Sequence, residues 1–257
     1  LGAPTVFARV GTAASATLFD NDPAVVSALR SAGFRGVRQA DLSRDRLPRG
    51  IAGCVIADPP WYPAHVRSFL WAASHLCSRG GLVLVSMPPE GTRPGIKGEW
   101  EALLRWIGHV GLRFESVVER ALEYETPRFE RNALLAAGER GDPGKWRRGN
   151  LAVFRKVGAA TLRPRPPARD VWIESRLGEV RIRVKRAAPP TRLARIGDPR
   201  LISMIAGDIL PSVSRRDPRR RHAQVWTSGN RVFRCNDLAS LSLILGALER
   251  GASPFKV

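Results

Sequence analysis

Over the first 157 residues, short apolar runs alternate with amphipathic stretches. Residues 16–19 read as a strand ending at Asp20, and 23–32 as a helix with Pro23 in its first turn and Gly33 as its stop. Residues 37–40 are a second short strand ending at Asp41. Residues 51–57, an apolar run ending at Asp58, are a buried strand, 64–77 a helix, and 81–86 (Gly-Leu-Val-Leu-Val-Ser) another buried strand. Residues 99–110 form an amphipathic helix with Leu103, Leu104 and Ile107 on one side. The last two strands, 114–123 and 150–157, are joined by a polar, Gly-rich loop around 136–149. Strands alternating with helices predict an α/β fold with a parallel sheet covered on both faces. In such sheets ligands bind outside the carboxyl ends of the strands.

The pattern breaks at 158–170, a Pro- and Arg-rich stretch without apolar periodicity, which reads as a stiff linker. Beyond it, residues 171–174 and 180–185 form a hairpin around Leu177-Gly178. Within its second strand Val180, Ile182 and Val184 face one way, and Arg181, Arg183 and Lys185 the other. Residues 199–210 read as a helix with Leu201, Ile205 and Ile209 stacked on one face, and 224–235 as a hairpin around Ser228-Gly229-Asn230. Residues 237–250 form a leucine-rich helix stopped by Gly251. The expected organisation is therefore a sheet domain over 1–157, a linker over 158–170 and a small α+β domain over 171–257.

The length of 257 residues suits one large or two small domains. No apolar run approaches the ~18 residues that span a bilayer, so no membrane partner is expected. Three scattered cysteines (Cys54, Cys77, Cys235) offer no disulfide framework and no Cys-x-x-Cys pair, which suits a reducing, cytoplasmic setting. His65, His75, His109 and His222 are too dispersed to suggest a metal site.

Charge changes the picture. The formal net charge is +19, and 37 of the 42 basic residues are arginine, which suits phosphate and planar partners. Residues 1–157 carry +7 and 158–257 carry +12, so the C-terminal part is the stronger candidate for an anion-binding surface. The strip of Arg181, Arg183 and Lys185 and the run of Arg215, Arg216, Arg219, Arg220 and Arg221 are the candidate nucleic-acid contacts. An edge strand protected by charge and a solvated loop are the competing accounts of these two features. Trp226, near the basic run, is a candidate for stacking on a base.

Three strand ends carry an aspartate: Asp20, Asp41 and Asp58. Helix capping explains any one of them singly. The third opens Asp58-Pro59-Pro60-Trp61, followed by Tyr62. An exocyclic amine is a poor nucleophile because its lone pair is delocalised. A carboxylate and a rigid carbonyl that accept its two N–H bonds pyramidalise the nitrogen and aim the lone pair at an electrophile. Tandem prolines fix such a carbonyl, at Pro59, and contribute no competing N–H. An aromatic at the next position can stack on the flat group that bears the amine. If that group is a nucleic-acid base, it must be flipped out or already single-stranded. The alternative is a helix cap with a proline in the first turn and a core tryptophan.

These elements, with Asp20-Asn21-Asp22-Pro23 after one strand, Asp41 after the next and Asp58-Pro59-Pro60-Trp61 after a third, resemble the S-adenosylmethionine-dependent methyltransferases. Within them the chain looks like the amino-methyltransferases that carry Asp/Asn-Pro-Pro-aromatic. The resemblance covers about residues 1–157 and implies a Rossmann-like sheet whose first strand is largely missing. It implies S-adenosylmethionine as cofactor, with Asp20 on the ribose hydroxyls, Asp41 by the adenine amine, and Gly2, in Leu1-Gly2-Ala3-Pro4, as a remnant of the glycine loop. Asp58, placed beside the cofactor, would with Pro59 and Trp61 hold the acceptor nitrogen, and Pro60 and Tyr62 would lie beside the substrate. The expected activity is transfer of a methyl group to an amino nitrogen, with nucleic acid as the expected partner. The branched-polyamine aminopropyltransferases share this layout and a similar Asp-Pro-Pro-aromatic, so aminopropyl transfer to a polyamine, served by Glu119, Glu123 and Glu125, stays open. So does a non-catalytic binding module of the same fold.

Overall fold

The computed structural model describes residues 16–141, 144–145, 147–165, 172–186, 197–214 and 217–252. The chain divides into two compact units, Leu1–Tyr124 with Lys145–Ala168, and Glu125–Gly144 with Arg169–Val257. Among the described residues no helix is long and apolar enough to cross a membrane.

The first unit is a mixed α/β structure. Strand β1 (Leu18–Asp20) runs parallel to β2 (Val37–Gln39), joined by helix α1 (Pro23–Ser31). Asp22 caps α1 by accepting from the Ala24 amide at 2.9 Å, and Pro23 occupies the first turn, where its missing N–H is not needed. A four-stranded sheet follows, ordered β3 (Ala52–Ala57), β4 (Cys77–Met87), β6 (Arg147–Lys156), β5 (Leu112–Tyr124). Helix α2 (Pro63–Leu76) connects β3 to β4 and buries Val66, Leu70, Trp71 and Ala73 against Val83, Val85, Ala152 and Phe154. Helix α3 (Ile96–Trp106) starts after Gly95, held at φ 87°, and runs into a 3-10 turn over Ile107–Val110.

Three expectations need correction here. The larger sheet is mixed rather than parallel: β3 and β4 are parallel, but β6 is antiparallel to both β4 and β5. β6 pairs directly with the strand that precedes it in sequence, and such neighbours, joined without a crossover over the sheet, run antiparallel. The run over 51–57 is also not buried throughout. Val55 and Ala57 join the core under α2, whereas the alternate position Ile56 is 44% exposed and Cys54 is exposed. Thirdly, Leu103 in α3 and Ile107, four residues on in the turn that continues it, are buried, while Leu104, a hundred degrees round from Leu103, is exposed.

The second unit contains an antiparallel five-stranded sheet, ordered β7 (Trp172–Leu177), β8 (Val180–Lys185), β10 (Val225–Thr227), β11 (Val232–Cys235), β9 (Leu201–Ser203). Both predicted hairpins are present, with Asn230 at φ 65° turning the second. Helix α6 (Leu238–Glu249) is capped by Asp237 and, as its sequence predicts, followed by Gly251 at φ 71°. The predicted helix over 199–210 does not form. Leu201–Ser203 pairs with β11 instead, and the consecutive left-handed residues Gly207 and Asp208 (φ 70° and 63°) are incompatible with a helix. Two short helices were not expected. Helix α4 (Arg128–Ala136) lies in a segment without a predicted element, and its Asn132 side chain donates to the Gly229 carbonyl at 2.8 Å. Helix α5 (Pro218–His222), capped by Asp217, occupies part of the basic run read as a loop.

Candidate active site

The chain leaves β3 at Ala57 and passes through Asp58, Pro59, Pro60 and Trp61 before α2 begins at Pro63. Asp58 is half-buried, and its Oδ1 accepts from the Tyr124 hydroxyl at 2.9 Å. Tyr124 is the last residue of β5, and its hydroxyl also makes a short hydrogen bond with Ser86 Oγ, near the end of β4. Ser86 in turn accepts from the Trp61 indole N–H at 3.0 Å. A continuous chain of hydrogen bonds therefore links Trp61, Ser86, Tyr124 and Asp58 across three strand ends. Packing reinforces it: the Trp61 and Tyr124 rings meet edge to face at 5.6 Å, and the Arg147 guanidinium lies 4.4 Å from the Trp61 ring centre. Burial pushes the Tyr124 phenol well above its ordinary value, and the neighbouring Asp58 carboxylate acts in the same direction. The phenol is a fixed, neutral donor that orients the carboxylate.

The tandem prolines act on the carbonyls. The Pro60 carbonyl accepts from the Tyr62 amide at 2.7 Å, closing the turn into α2. The Pro59 carbonyl accepts from no backbone or side-chain donor among the described residues. Asp58 Oδ2 likewise has no hydrogen-bond partner among them. One carboxylate oxygen, on half-buried Asp58, and one rigid carbonyl, on buried Pro59, are thus without partners among the described residues; they are the acceptor types that the chemistry of an amino nitrogen requires.

Trp61 is only 6% exposed, with its N–H committed to Ser86. That burial places its indole in the packing of the site, whereas Tyr62 remains half-buried with Arg93 over its ring at 5.5 Å. Both residues line a cavity of about 350 Å³ with Val66, Met87, Ile96 and Trp100; Asp58 is not among the residues that line it.

The other two strand-end aspartates are engaged to different degrees. Asp20 Oδ1 accepts from the Asp22 amide at 2.8 Å, and its second oxygen has no hydrogen-bond partner among the described residues. Asp41 is nearly saturated within its own turn: Oδ1 takes the amide and hydroxyl of Ser43, and Oδ2 pairs with Arg44 at 3.3 Å. β1 and β2 are adjacent and parallel, so Asp20 and Asp41 emerge from the same edge. Gly2 lies outside the described residues. Of the acidic group considered for a polyamine, Glu123 already pairs with Arg148 at 3.2 Å and with Lys145 at 4.0 Å.

In the second unit the basic residues are partly committed. Arg183 and Arg181 both pair with Glu174, at 2.6 and 3.7 Å. β8 lies between β7 and β10, so it is not the charged edge strand considered from its sequence. Arg219 pairs with Asp217 at 2.7 Å. Arg220 donates to Asn230 Oδ1 at 2.9 Å and lies 4.4 Å from the Trp226 ring centre. Arg183 also lies over that ring, at 5.5 Å, so a base could stack on Trp226 only by displacing guanidinium groups. Lys185 and Arg221 are exposed. Arg215 and Arg216 lie outside the described residues.

Tyr124, Ser86 and Arg147 are absent from the sequence-derived site. No spacing rule connects positions 58, 86 and 124, and only the sheet register brings them together.

No family model matches the chain, and no curated protein matches it in sequence. Several solved structures are similar. A branched-chain polyamine synthase from Thermus thermophilus, in complex with N4-aminopropylspermidine and 5'-methylthioadenosine, is 17% identical with a TM-score of 0.46. The match covers 60% of this chain and 47% of that one, so the chain spans less than half of that synthase's length. A 16S rRNA N2 guanosine methyltransferase from T. thermophilus, in complex with AdoMet and guanosine, is 15% identical with a TM-score of 0.33, over 65% of this chain and 35% of that one. A SAM-dependent methyltransferase from Methanosarcina mazei is 8% identical with a TM-score of 0.37, over 54% and 80%.

Proposed function

We propose that this chain is a transferase that moves a methyl group from S-adenosylmethionine to an amino nitrogen, with nucleic acid as the acceptor, on a Rossmann-like sheet domain that carries a basic accessory domain. The observation that carries this reading is the adjacent pair of acceptors without partners among the described residues, Asp58 Oδ2 and the Pro59 carbonyl, fixed at the carboxyl end of β3 by Tyr124 and the tandem prolines. The residues present fit the cofactor in part. Asp20 keeps a carboxylate oxygen for a ribose hydroxyl, while Asp41, occupied by Ser43 and Arg44, has little left to offer an adenine amine. When bound, S-adenosylmethionine supplies an electrophilic methyl group. The chain's own part is to orient the acceptor. Asp58 takes one N–H of the amine, the Pro59 carbonyl takes the other, and the lone pair is left directed away from both. The exposed cations Lys185 and Arg221, with the general excess of arginine, favour a polyanionic acceptor over a polyamine.

The test is methyl transfer from labelled cofactor to single-stranded DNA, single-stranded RNA and spermidine. Transfer to nucleic acid should dominate, and Asp58→Ala should abolish it while leaving cofactor affinity within about twofold. Nucleic-acid affinity should fall on the order of 10³-fold between 50 and 200 mM salt if six or more phosphates are contacted. An Asp58→Ala variant that turns over as fast as the parent overturns the reading.

A further inference from the structure

A second, larger cavity of about 530 Å³ lies at the other end of the sheet from Asp58. Its walls are Asp45 to Arg49, which lead into β3, Trp71 and His75 from the last turns of α2, and Arg163, beyond the end of β6. β3 and β4 begin at this edge, and antiparallel β6 ends there, since Arg155 pairs with Leu82. The carboxyl edge that carries Asp58 is the opposite one.

Three of the eight lining residues are arginines: Arg46, Arg49 and Arg163. Arg163 is held in place, with its guanidinium 4.4 Å from the Trp71 ring centre and its Nη2 donating to the Asp45 carbonyl at 3.0 Å. His75 stacks on the same indole at 5.1 Å, and its Nε2 lies 3.2 Å from the Leu47 carbonyl. The single carboxylate in the lining, Asp45, is turned into its own loop, where Oδ2 accepts the Asp41 amide at 2.8 Å. Burial keeps His75 below the ordinary imidazole value, and the surrounding cations Arg49, Lys156 and Arg163 add to that. Among the described residues, three arginines and His75 thus line the cavity against one carboxylate, Asp45, whose Oδ2 is engaged by the Asp41 amide.

We propose that this cavity is a binding site for linked phosphate groups. Forked guanidinium donors match phosphate oxygens in geometry as well as charge. Three of them exceed what one carboxylate ligand needs, and the volume exceeds that of a single phosphate. The source is either the backbone of a nucleic acid or a free oligophosphate, which share this chemistry. The proposal does not depend on the Asp58 site or on its reaction.

The experiment uses the full chain with tripolyphosphate as the probe, followed by calorimetry and by NMR of the His75 imidazole. Saturable one-to-one binding is expected, with the His75 resonances moving in step with occupancy. Arg46 and Arg49 are exposed, so the double variant Arg46→Glu/Arg49→Glu should keep its far-ultraviolet circular dichroism and melting temperature. It should bind at least about tenfold more weakly, whereas Arg35→Glu, an exposed residue outside the cavity lining, should bind as the parent does. Non-saturable binding, an unmoved His75 or an unaffected double variant overturns the proposal. A single-stranded oligonucleotide then identifies the source. If its affinity falls with the double variant and tripolyphosphate displaces it, the backbone is the ligand; if only tripolyphosphate binding is lost, a free oligophosphate is.

Discussion

The Tyr124 hydroxyl donates to Asp58 Oδ1 at 2.9 Å, so the end of β5 fixes the carboxylate that follows β3, sixty-six residues earlier in the chain. Tyr124→Phe removes that donor and the partner of Ser86 while preserving the ring contact with Trp61. The expected loss is about 1 kcal/mol in denaturant unfolding, the usual net value of one hydrogen bond. Under the proposed function, methyl transfer should fall about tenfold with cofactor affinity unchanged, because Asp58 loses its orientation and not its charge. Equal turnover in Tyr124→Phe and the parent would show that Asp58 is oriented without it.

The same pair makes a prediction at alkaline pH. Burial and the Asp58 carboxylate hold the Tyr124 phenol above its ordinary value of 10.0. A group whose pKa is raised by folding contributes stability that is complete below its unfolded value and is lost as pH climbs past it. In Tyr62→Phe, which leaves Tyr124 as the single tyrosine of the chain, phenolate absorbance should stay flat through pH 10 and rise only together with loss of circular dichroism. A smooth phenolate titration near pH 10 in the folded protein would contradict the burial of this hydroxyl.

Gly149 in β6 closes over the same rings. A Cβ there would lie 2.9 Å from Trp61 Cζ2 and 3.0 Å from Tyr124 Cε2. Neither ring can withdraw easily, because each is tied to Ser86. Gly149→Ala should therefore destabilise the chain by roughly 1–3 kcal/mol, the usual penalty of overpacking. The near-ultraviolet circular dichroism of the aromatic cluster should change while the far-ultraviolet spectrum is retained.

Much of the framework is legible in the sequence. Pro23 with Gly33, and Gly251, mark helix ends by local backbone chemistry, and the structure places α1 between the first pair and ends α6 just before Gly251. The alternation of Val180 to Lys185 predicts β8, because a strand's period is a local property. What the sequence conceals is pairing. Leu201, Ile205 and Ile209 match a helical period, yet β11 recruits Leu201–Ser203 as an edge strand, a contact thirty or more residues distant. The direction of β6 is equally non-local. So is the candidate site: Asp58-Pro59-Pro60-Trp61 is contiguous and visible, whereas Ser86 and Tyr124 reach Asp58 only through the register of three strands. Burial also redistributes roles. Trp61 looks in sequence like a surface for stacking on a substrate, but its indole N–H serves the internal hydrogen-bond chain.

Lys156, at the end of β6, is a buried cation without a carboxylate partner among the described residues. It is 7% exposed and donates to Ser74 Oγ, and at 3.4 Å to the Val110 carbonyl. Burial lowers its pKa from the ordinary lysine value of 10.5; Arg49 acts in the same sense and Cys77 in the opposite one. For a base whose pKa is depressed by folding, the native state binds the proton less tightly than the unfolded chain does. Stability therefore falls as pH drops through 10.5, and the loss is complete below the folded-state value. Lys156→Met keeps the length of the side chain, removes the ammonium, and leaves the hydrogen bond from Ser74 Oγ to the Val110 carbonyl intact. Replacing a buried charge with an apolar group of similar volume is often neutral or stabilising. The net gain at pH 7 should be about 1 kcal/mol after the lost hydrogen bonds, equivalent to a rise in melting temperature of roughly 2–4 °C. That advantage should shrink as pH approaches 10.5, where the parent's lysine is increasingly neutral in both states. Melting curves of the two proteins across this range provide the check. A variant that is less stable than the parent by the same amount at every pH would mean that the hydrogen bonds of Lys156 outweigh the burial of its charge.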